Sequence, residues 1–523
     1  MSLYVDTLRS LESTFGSVAD AGPLGHDAAL RRDEAEEFPL QALAELGRLG
    51  AAELQRPVAS GGRFRSFEQL LALSWTLGRR DPSLALTQGM QTWLWLVRMS
   101  GDAARQQRCD DILRDNGSPC FAASEALHGA DLLASETLAV KHGDRFEVTG
   151  EKWPIGRAGH AACALVLART RVETGPRSLS WFFVEGDASG WTRLPRVKTV
   201  GLRAADLGGL ALRRSPAVLL GREGEGLELT LRIFQITRPL VGSLSLGACD
   251  TVLRTSVLFA LERSLHQQSL AALPVVRRTL AEAWLDLLAA EMLLLSTVRG
   301  LHVTPEQTSF TSPLAKATAP ELVAASISRA TTVLGARAFL REGSAAIVQK
   351  MVRDQAAAGL IDGSTPVCLH AVAAQLPALL RENHGRASRL RQRLRLSEDV
   401  PVFDPERLSV NARGADDLTA DACDEIRSSS AELREALSDL RHDDRFAAAT
   451  AYARMHTAAC CLAFENHNPE LPHCTQGLPT LAARRLLDPA SLAPADRDRV
   501  FEQLVEAVRG ERLLSITAAQ AGS

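Results

Sequence analysis

The chain has 523 residues, 46% hydrophobic and 23% charged, with a formal net charge of −3. That length is too great for one compact core and implies about two to four domains. The composition is that of an ordinary globular protein, and the near-neutral charge gives no electrostatic reason to expect a nucleic-acid partner.

The first residues, MSLYVDTLRSLESTF, lack a basic stretch followed by an apolar core, so no signal peptide is expected. Residues 38–51, FPLQALAELGRLGA, repeat apolar residues at helical steps and end in Gly. After the loop PVASGG, residues 66–86 open on Ser66 as a helix cap and break at Asp81-Pro82. The pattern changes near residue 118. DRFEVTGEKWPI alternates apolar and polar residues, and CALVLART and SLSWFFVEG are short β-rich runs punctuated by Gly and Pro. The Gly-rich GREGEG lacks the Lys-Ser/Thr of a phosphate loop. From residue 226 the helical period returns, and apolar stripes such as residues 276–301 suit the core of a helix bundle. No apolar stretch approaches about 18 uninterrupted residues, so no integral membrane segment is expected.

A second helical region follows residue 380. Its stretch AELREALSDLRHDDR has opposite charges at helical spacing, the pattern of a solvated helix face. His467, His473 and Cys474 are close in sequence but match no metal-ligand spacing, so no metal is expected. Nine scattered cysteines without framework spacing point to a reduced, cytoplasmic protein. The division implied is a helical domain over 1–117, a β domain over 118–222, a helical bundle over 223–384 and an α-helical extension over 385–523.

One short stretch poses the functional question. Residues 359–367, GLIDGSTPV, place Asp362 before Gly363, Ser364 and Thr365. An acid followed by Gly and hydroxyl residues is ordinary turn chemistry. It is also what a catalytic carboxylate beside a cofactor looks like.

Several motifs in order carry a resemblance. Residues 121–170 contain Ser124-Glu125 and Gly150-Glu151-Lys152. GLRAADLGGLAL, LLGREGEGLEL, TRPLVGSLSLG, FALER ending at Arg263, VLGARAF and Arg353-Asp354 follow. Over about residues 30–380 this set resembles the acyl-CoA dehydrogenase family. The resemblance implies an α+β, mostly α fold: an N-terminal helical domain, a middle β-barrel and a C-terminal four-helix bundle, here with an extra C-terminal α domain. It implies FAD between the barrel and the bundle, completed by a neighbouring subunit, and an acyl thioester substrate on CoA or acyl carrier protein.

Family dehydrogenases remove an α proton with a carboxylate base and pass a β hydride to flavin N5. Asp362 falls at the position of the family's catalytic Glu, one methylene shorter. The thioester carbonyl would sit between the flavin ribityl hydroxyl and the Asp362 N–H, an oxyanion-hole arrangement. A base so placed gains from a pKa raised by burial. The resemblance assigns cofactor contacts to Phe121, Ala123, Ser124, Ile155, Gly156, Gly335 and Ser364. It gives Arg263 the FAD pyrophosphate across a subunit interface. Arg238 and Gly363 fall on the substrate side.

Departures accompany the match. Pro154-Ile155-Gly156 replaces the usual Trp-Ile-Thr, removing an aromatic shield and a hydroxyl near N5. Ala336 replaces the second Gly of a Gly-Gly loop, and His266-Gln267 stand where Phe-Gly usually follows Arg263. Gln235 and Ala130 replace an Asp and a Ser used toward CoA adenine and the thioester. Thr237 excludes the alternative base position just before Arg238. Acyl-thioester dehydrogenation is therefore the leading expectation. A flavin-dependent oxidase or monooxygenase on the same fold is the second, and a member that has lost catalysis the third. The extension resembles that of long-chain dehydrogenases and acyl-CoA oxidases, which implies a homodimer.

Overall fold

The computed structural model describes residues 2–143, 145–380, 387–412, 414–420, 426, 428, 432 and 445–521. The boundary expected at residue 384 and most of the charged stretch 427–446 lie outside them. The chain divides into two compact units: residues 31–65 with 83–237, and residues 1–30 with 66–82 and 238–523.

The first unit is built on strands β1 (Pro119–Ala122), β2 (Leu138–His142), β3 (Arg145–Gly156), β4 (Cys163–Arg169), β5 (Leu179–Glu185), β6 (Trp191–Leu194) and β7 (Leu207–Leu220). They run β1-β4-β2-β3-β7-β5, with β6 on β7, and a further β4–β5 pairing closes β4, β2, β3, β7 and β5 into a ring, with β1 beside β4. The closed ring encloses an apolar interior. Ala122, Val148, Val166, Phe182, Val184 and Leu210 fill it, all fully buried. The alternation read in β3 is real: Phe146 and Val148 face inward while Arg145 is exposed. Between Lys152 and Ile155 the β3–β7 register shifts, so Trp153-Pro154 forms a bulge. A proline, having no N–H to give to the ladder, suits such a position.

The second unit is helical. Ser66 caps the helix Phe67–Arg80 in a capping box with Gln69, and the helix ends at Asp81 as its sequence implies. Helices Pro274–Val303 and Thr308–Leu334 pack along each other, and Thr365–Ala373 packs on the latter. The helix Gly226–Glu262 is long and apolar enough to cross a membrane, but 72% of its most apolar window is buried within the protein.

The residues after 386 belong to this same unit. They satisfy charges on the bundle helices. The buried Arg299 guanidinium donates to the carbonyls of Gln392, Arg393, Arg395 and Glu398. Asp286 accepts two hydrogen bonds from Arg485, and Asp250 accepts one from the Leu514 N–H. Glu291, fully buried, accepts from Tyr4, Ser515 and Ile516. Burial raises its pKa to about 7 against those three donors.

A buried carboxylate on the first helix sets one pH limit. Glu12 on Leu3–Phe15 is paired with Arg79 at 2.8 Å and Arg80 at 3.1 Å. Burial pushes its pKa up, but the two guanidinium groups overcome this and hold it at about 2. The folded pKa lies below the unfolded one, so this stabilisation is complete above pH about 4.5 and is lost as pH falls toward about 2. The expected result is a melting temperature that declines through that window more steeply in the parent than in Glu12→Gln, measured by thermal melts from pH 2 to 7.

Candidate functional site

In the β unit, β1 ends at Ala122 and leads through buried Ala123 to half-buried Ser124 and then Glu125. This run is held against β3. The Trp153 N–H donates to the Ser124 carbonyl at 3.0 Å, and the Lys152 ammonium donates to the Ala123 carbonyl at 3.0 Å. Lys152 also reaches the Glu125 carboxylate at 2.8 Å, which accepts further bonds from Ser135, Glu136 and Thr137. Burial pulls the Lys152 pKa down to about 8 against the attraction of Glu125. Glu125, pushed up by burial but favoured more by Lys152 and its donors, lies at about 2. Both are charged at neutral pH and pin β1 to β3. The sequence signal for this pair was a Lys at an inward-facing position of the alternating strand β3; its partner was not legible.

Phe121 is half-buried and stacks on Trp93 with ring centroids 3.6 Å apart. Ile155 is buried and Gly156 half-buried at the end of β3. A side chain at Gly156 would come within 3.3 Å of the Met90 sulfur. Trp153, half-buried, keeps an aromatic ring one residue before the position where the resemblance expected one.

In the helical unit, residues 361–365 are half-buried. Asp362 has φ 59° and Gly363 φ 102°, two successive left-handed residues. Each carbonyl of this turn accepts from a buried cation. Arg238 Nε donates to the Asp362 carbonyl at 2.9 Å, and Lys316 Nζ donates to the Gly363 carbonyl at 3.0 Å. Glycine suits position 363, because φ 102° is a backbone that other residues seldom adopt, and a Cβ there would also press on Arg238 Nη2 at 3.2 Å. Sequence reasoning found Arg238, Asp362 and Gly363 but assigned Arg238 only to substrate, and it missed Lys316.

Ser364 begins the helix Thr365–Ala373 without capping it through its side chain. Arg263 follows the helix Gly226–Glu262 and is exposed. Gly335, φ 58°, ends the helix Thr308–Leu334, with nothing within 4 Å of where its Cβ would be. The turn after it is tied to the Arg263 end of its neighbour, since the Arg337 guanidinium lies 5.0 Å from the Phe259 ring centroid. Among the described residues no hydrogen bond joins Arg263 or Gly335 to the Asp362 turn. His473 packs edge-on against Trp284, and among the described residues no three His, Cys, Asp or Glu converge as a metal site.

Comparison with known proteins bears on what these turns serve. The family described as "Acyl-CoA dehydrogenase, middle domain" matches residues 120–215, and "Acyl-CoA dehydrogenase, C-terminal domain" matches residues 224–376. The chain belongs to the acyl-CoA dehydrogenase family. It is 25% identical to the short-chain specific acyl-CoA dehydrogenase of Bos taurus mitochondria, over 66% of this chain and 85% of that one. It is 24% identical to the cyclohex-1-ene-1-carbonyl-CoA dehydrogenase of Syntrophus aciditrophicus, over 65% and 83%. Among solved structures, a glutaryl-coenzyme A dehydrogenase in complex with glutaryl-CoA has a TM-score of 0.66 at 20% identity, covering 72% of this chain and 95% of that one. An acyl-CoA dehydrogenase from Bacillus anthracis complexed with FAD has a TM-score of 0.72 at 17% identity, covering 97% of this chain and 88% of that one.

This acyl-CoA dehydrogenase family member is a flavin oxidoreductase of the type acting on CH–CH bonds, with FAD as its cofactor. Its residues fit that cofactor. Among the described residues, the Ser124 hydroxyl, the Ser364 hydroxyl and the Arg263 guanidinium form no hydrogen bond or ion pair with protein. Within the helical unit, one neutral donor and one cation left over from protein contacts suit the polar edge of a flavin and a pyrophosphate.

Proposed function

We propose that this family member introduces an α,β double bond into an acyl thioester carried by CoA or acyl carrier protein, with Asp362 as the α-proton base. The observation that carries the reading is the Asp362-Gly363 turn. Its two carbonyls are held by buried cations, so the Asp362 carboxylate and N–H have a fixed backbone. In this reading the Asp362 N–H donates to the thioester carbonyl and favours the charge that develops there when the α proton leaves. The carboxylate takes that proton. Ser124 and Ser364 hydroxyls orient the flavin, and Arg263 binds its pyrophosphate. FAD, when bound, supplies the hydride acceptor. The test is anaerobic: the purified yellow protein is mixed with butyryl-, octanoyl- and palmitoyl-CoA and with octanoyl acyl carrier protein. Bleaching by at least one supports the proposal, and an unchanged spectrum with all four contradicts it.

Gly156 favours a second reading. With no hydroxyl at this position, the flavin N5 environment suits altered reactivity toward oxygen, and an oxidase consumes oxygen in step with the thioester. An oxygen electrode run with the same four compounds separates it from a dehydrogenase that needs another acceptor.

The subunit arrangement proposed is a cytoplasmic homodimer. Phe339 is 85% exposed and Leu340 52% exposed just beyond Gly335, an apolar surface suited to a second subunit. Arg263→Ala is expected to weaken FAD retention by about ten- to hundredfold, the scale of one charge-assisted hydrogen bond. Equilibrium dialysis against FAD measures it, and parent-like retention contradicts the assignment.

A further inference from the structure

We propose that Lys316 is a positioning residue for the catalytic turn: its ammonium, buried in the helical unit, clamps the Gly363 carbonyl and so fixes the geometry of Asp362. The inference rests on Asp362 being the base, and it concerns a residue that no motif match singles out.

The first support is conformational. Asp at φ 59° followed by Gly at φ 102° is a turn that a non-glycine residue seldom adopts. Such backbones persist where their surroundings over-determine them. Here the determinants come from three separate helices. Arg238 on Gly226–Glu262 holds the Asp362 carbonyl, Lys316 on Thr308–Leu334 holds the Gly363 carbonyl, and the Cys368 thiol on Thr365–Ala373 backs the latter at 3.7 Å.

The second support is the cost of Lys316 itself. Its side chain is fully buried, and among the described residues no carboxylate lies within ion-pairing distance. Burying an ammonium without a paired anion is expensive. The hydrogen bond it makes is to the Gly363 carbonyl. Burial lowers its pKa, and the charge of nearby Asp362 opposes that loss. A lysine kept for packing alone would be replaceable by Met, which has similar reach and no desolvation penalty. The position of Lys316 is explained by what it holds.

Arg238 and Lys316 differ in kind. Arg238 presents a fork of donors and retains nitrogens besides the one on Asp362. Lys316 is a point charge on a flexible stem, directed at one carbonyl. Loss of Lys316 therefore frees the Gly363 side of the turn while the Asp362 carbonyl stays held.

The experiment compares the full-length holoenzyme with Lys316→Met and Lys316→Arg. Amide hydrogen exchange is read on a peptide spanning 359–367, with FAD content, melting temperature, kcat and KM. In Lys316→Met the peptide is expected to exchange about ten- to hundredfold faster, the loss of one charge-assisted hydrogen bond. FAD content is expected to be retained, with kcat lowered by about tenfold or more and KM changed little, the pattern of a misplaced base. Lys316→Arg is expected to recover most of both effects. Parent-like exchange in Lys316→Met overturns the proposal, and equal loosening in the Arg variant shows that size and not charge matters, which overturns it too. Should Lys316→Met fail to fold, Lys316→Gln carries the same exchange measurement, and an unchanged peptide there refutes the clamp. If Asp362→Asn stays active, the base assignment has failed, and the exchange comparison still judges the clamp by itself.

Discussion

Asp362→Asn is expected to keep FAD and to lose flavin reduction by an acyl thioester by about 10²- to 10⁴-fold, the usual contribution of a positioned general base. The substitution keeps size, backbone and the N–H that the reading assigns to the thioester carbonyl, and it removes the carboxylate charge, which is the proton acceptor and also attracts the Lys316 ammonium. Because Arg238 and Lys316 bond the backbone carbonyls of residues 362 and 363, neither loses its partner in this variant. Folding and cofactor content should therefore match the parent. Stopped-flow reduction under nitrogen with the most active thioester is the measurement. A rate within about threefold of the parent, well under the range for a general base, would place the proton acceptor elsewhere.

A chain ending at residue 384 is expected not to fold. The reason lies in the charges that later residues satisfy. Without them Arg299 loses four carbonyl acceptors, Asp286 loses Arg485, Asp250 loses the Leu514 N–H, and Glu291 loses Ser515 and Ile516. Leu513, Leu514 and Ile516, all fully buried, would also leave the core. Breaking one buried charged pair costs about 3–5 kcal/mol, and a whole domain is stable by only about 5–15 kcal/mol. Soluble yield and a thermal melt check this. A soluble truncated chain with a cooperative transition would mean that the bundle relaxes to hydrate these groups. The milder Arg485→Ala should fold and melt at a lower temperature, since Arg329 still pairs with Asp286.

The extension illustrates how reading from sequence and reading from structure diverge. Its apolar helical pattern was legible, and so was its place after the family motifs. From pattern alone it suggests an added domain. What binds it to the bundle is a set of hydrogen bonds between residues far apart in sequence, such as Arg299 with Gln392 at a separation of 93, Asp286 with Arg485 at 199 and Asp250 with Leu514 at 264. No local signal encodes such pairings.

The sequence by itself determined the order of elements, the family and the position of the acid. Those rest on short-range chemistry. Helical period, the Ser66 cap, the alternation in β3 and the Asp-Gly turn depend on neighbours within a few residues, and their physics is the same in any fold. Tertiary structure alone decided which charges meet. Lys152 finds Glu125 across 27 residues, Lys316 finds the Gly363 carbonyl across 47, and Arg238 finds the Asp362 carbonyl across 124. A lysine in an apolar run announces that an ion is buried, because burial without a partner is costly. It does not announce the partner, since any of several strands or helices could deliver one. Helix packing makes that choice, and in this protein it brings two cations to the backbone of the turn that carries the acid.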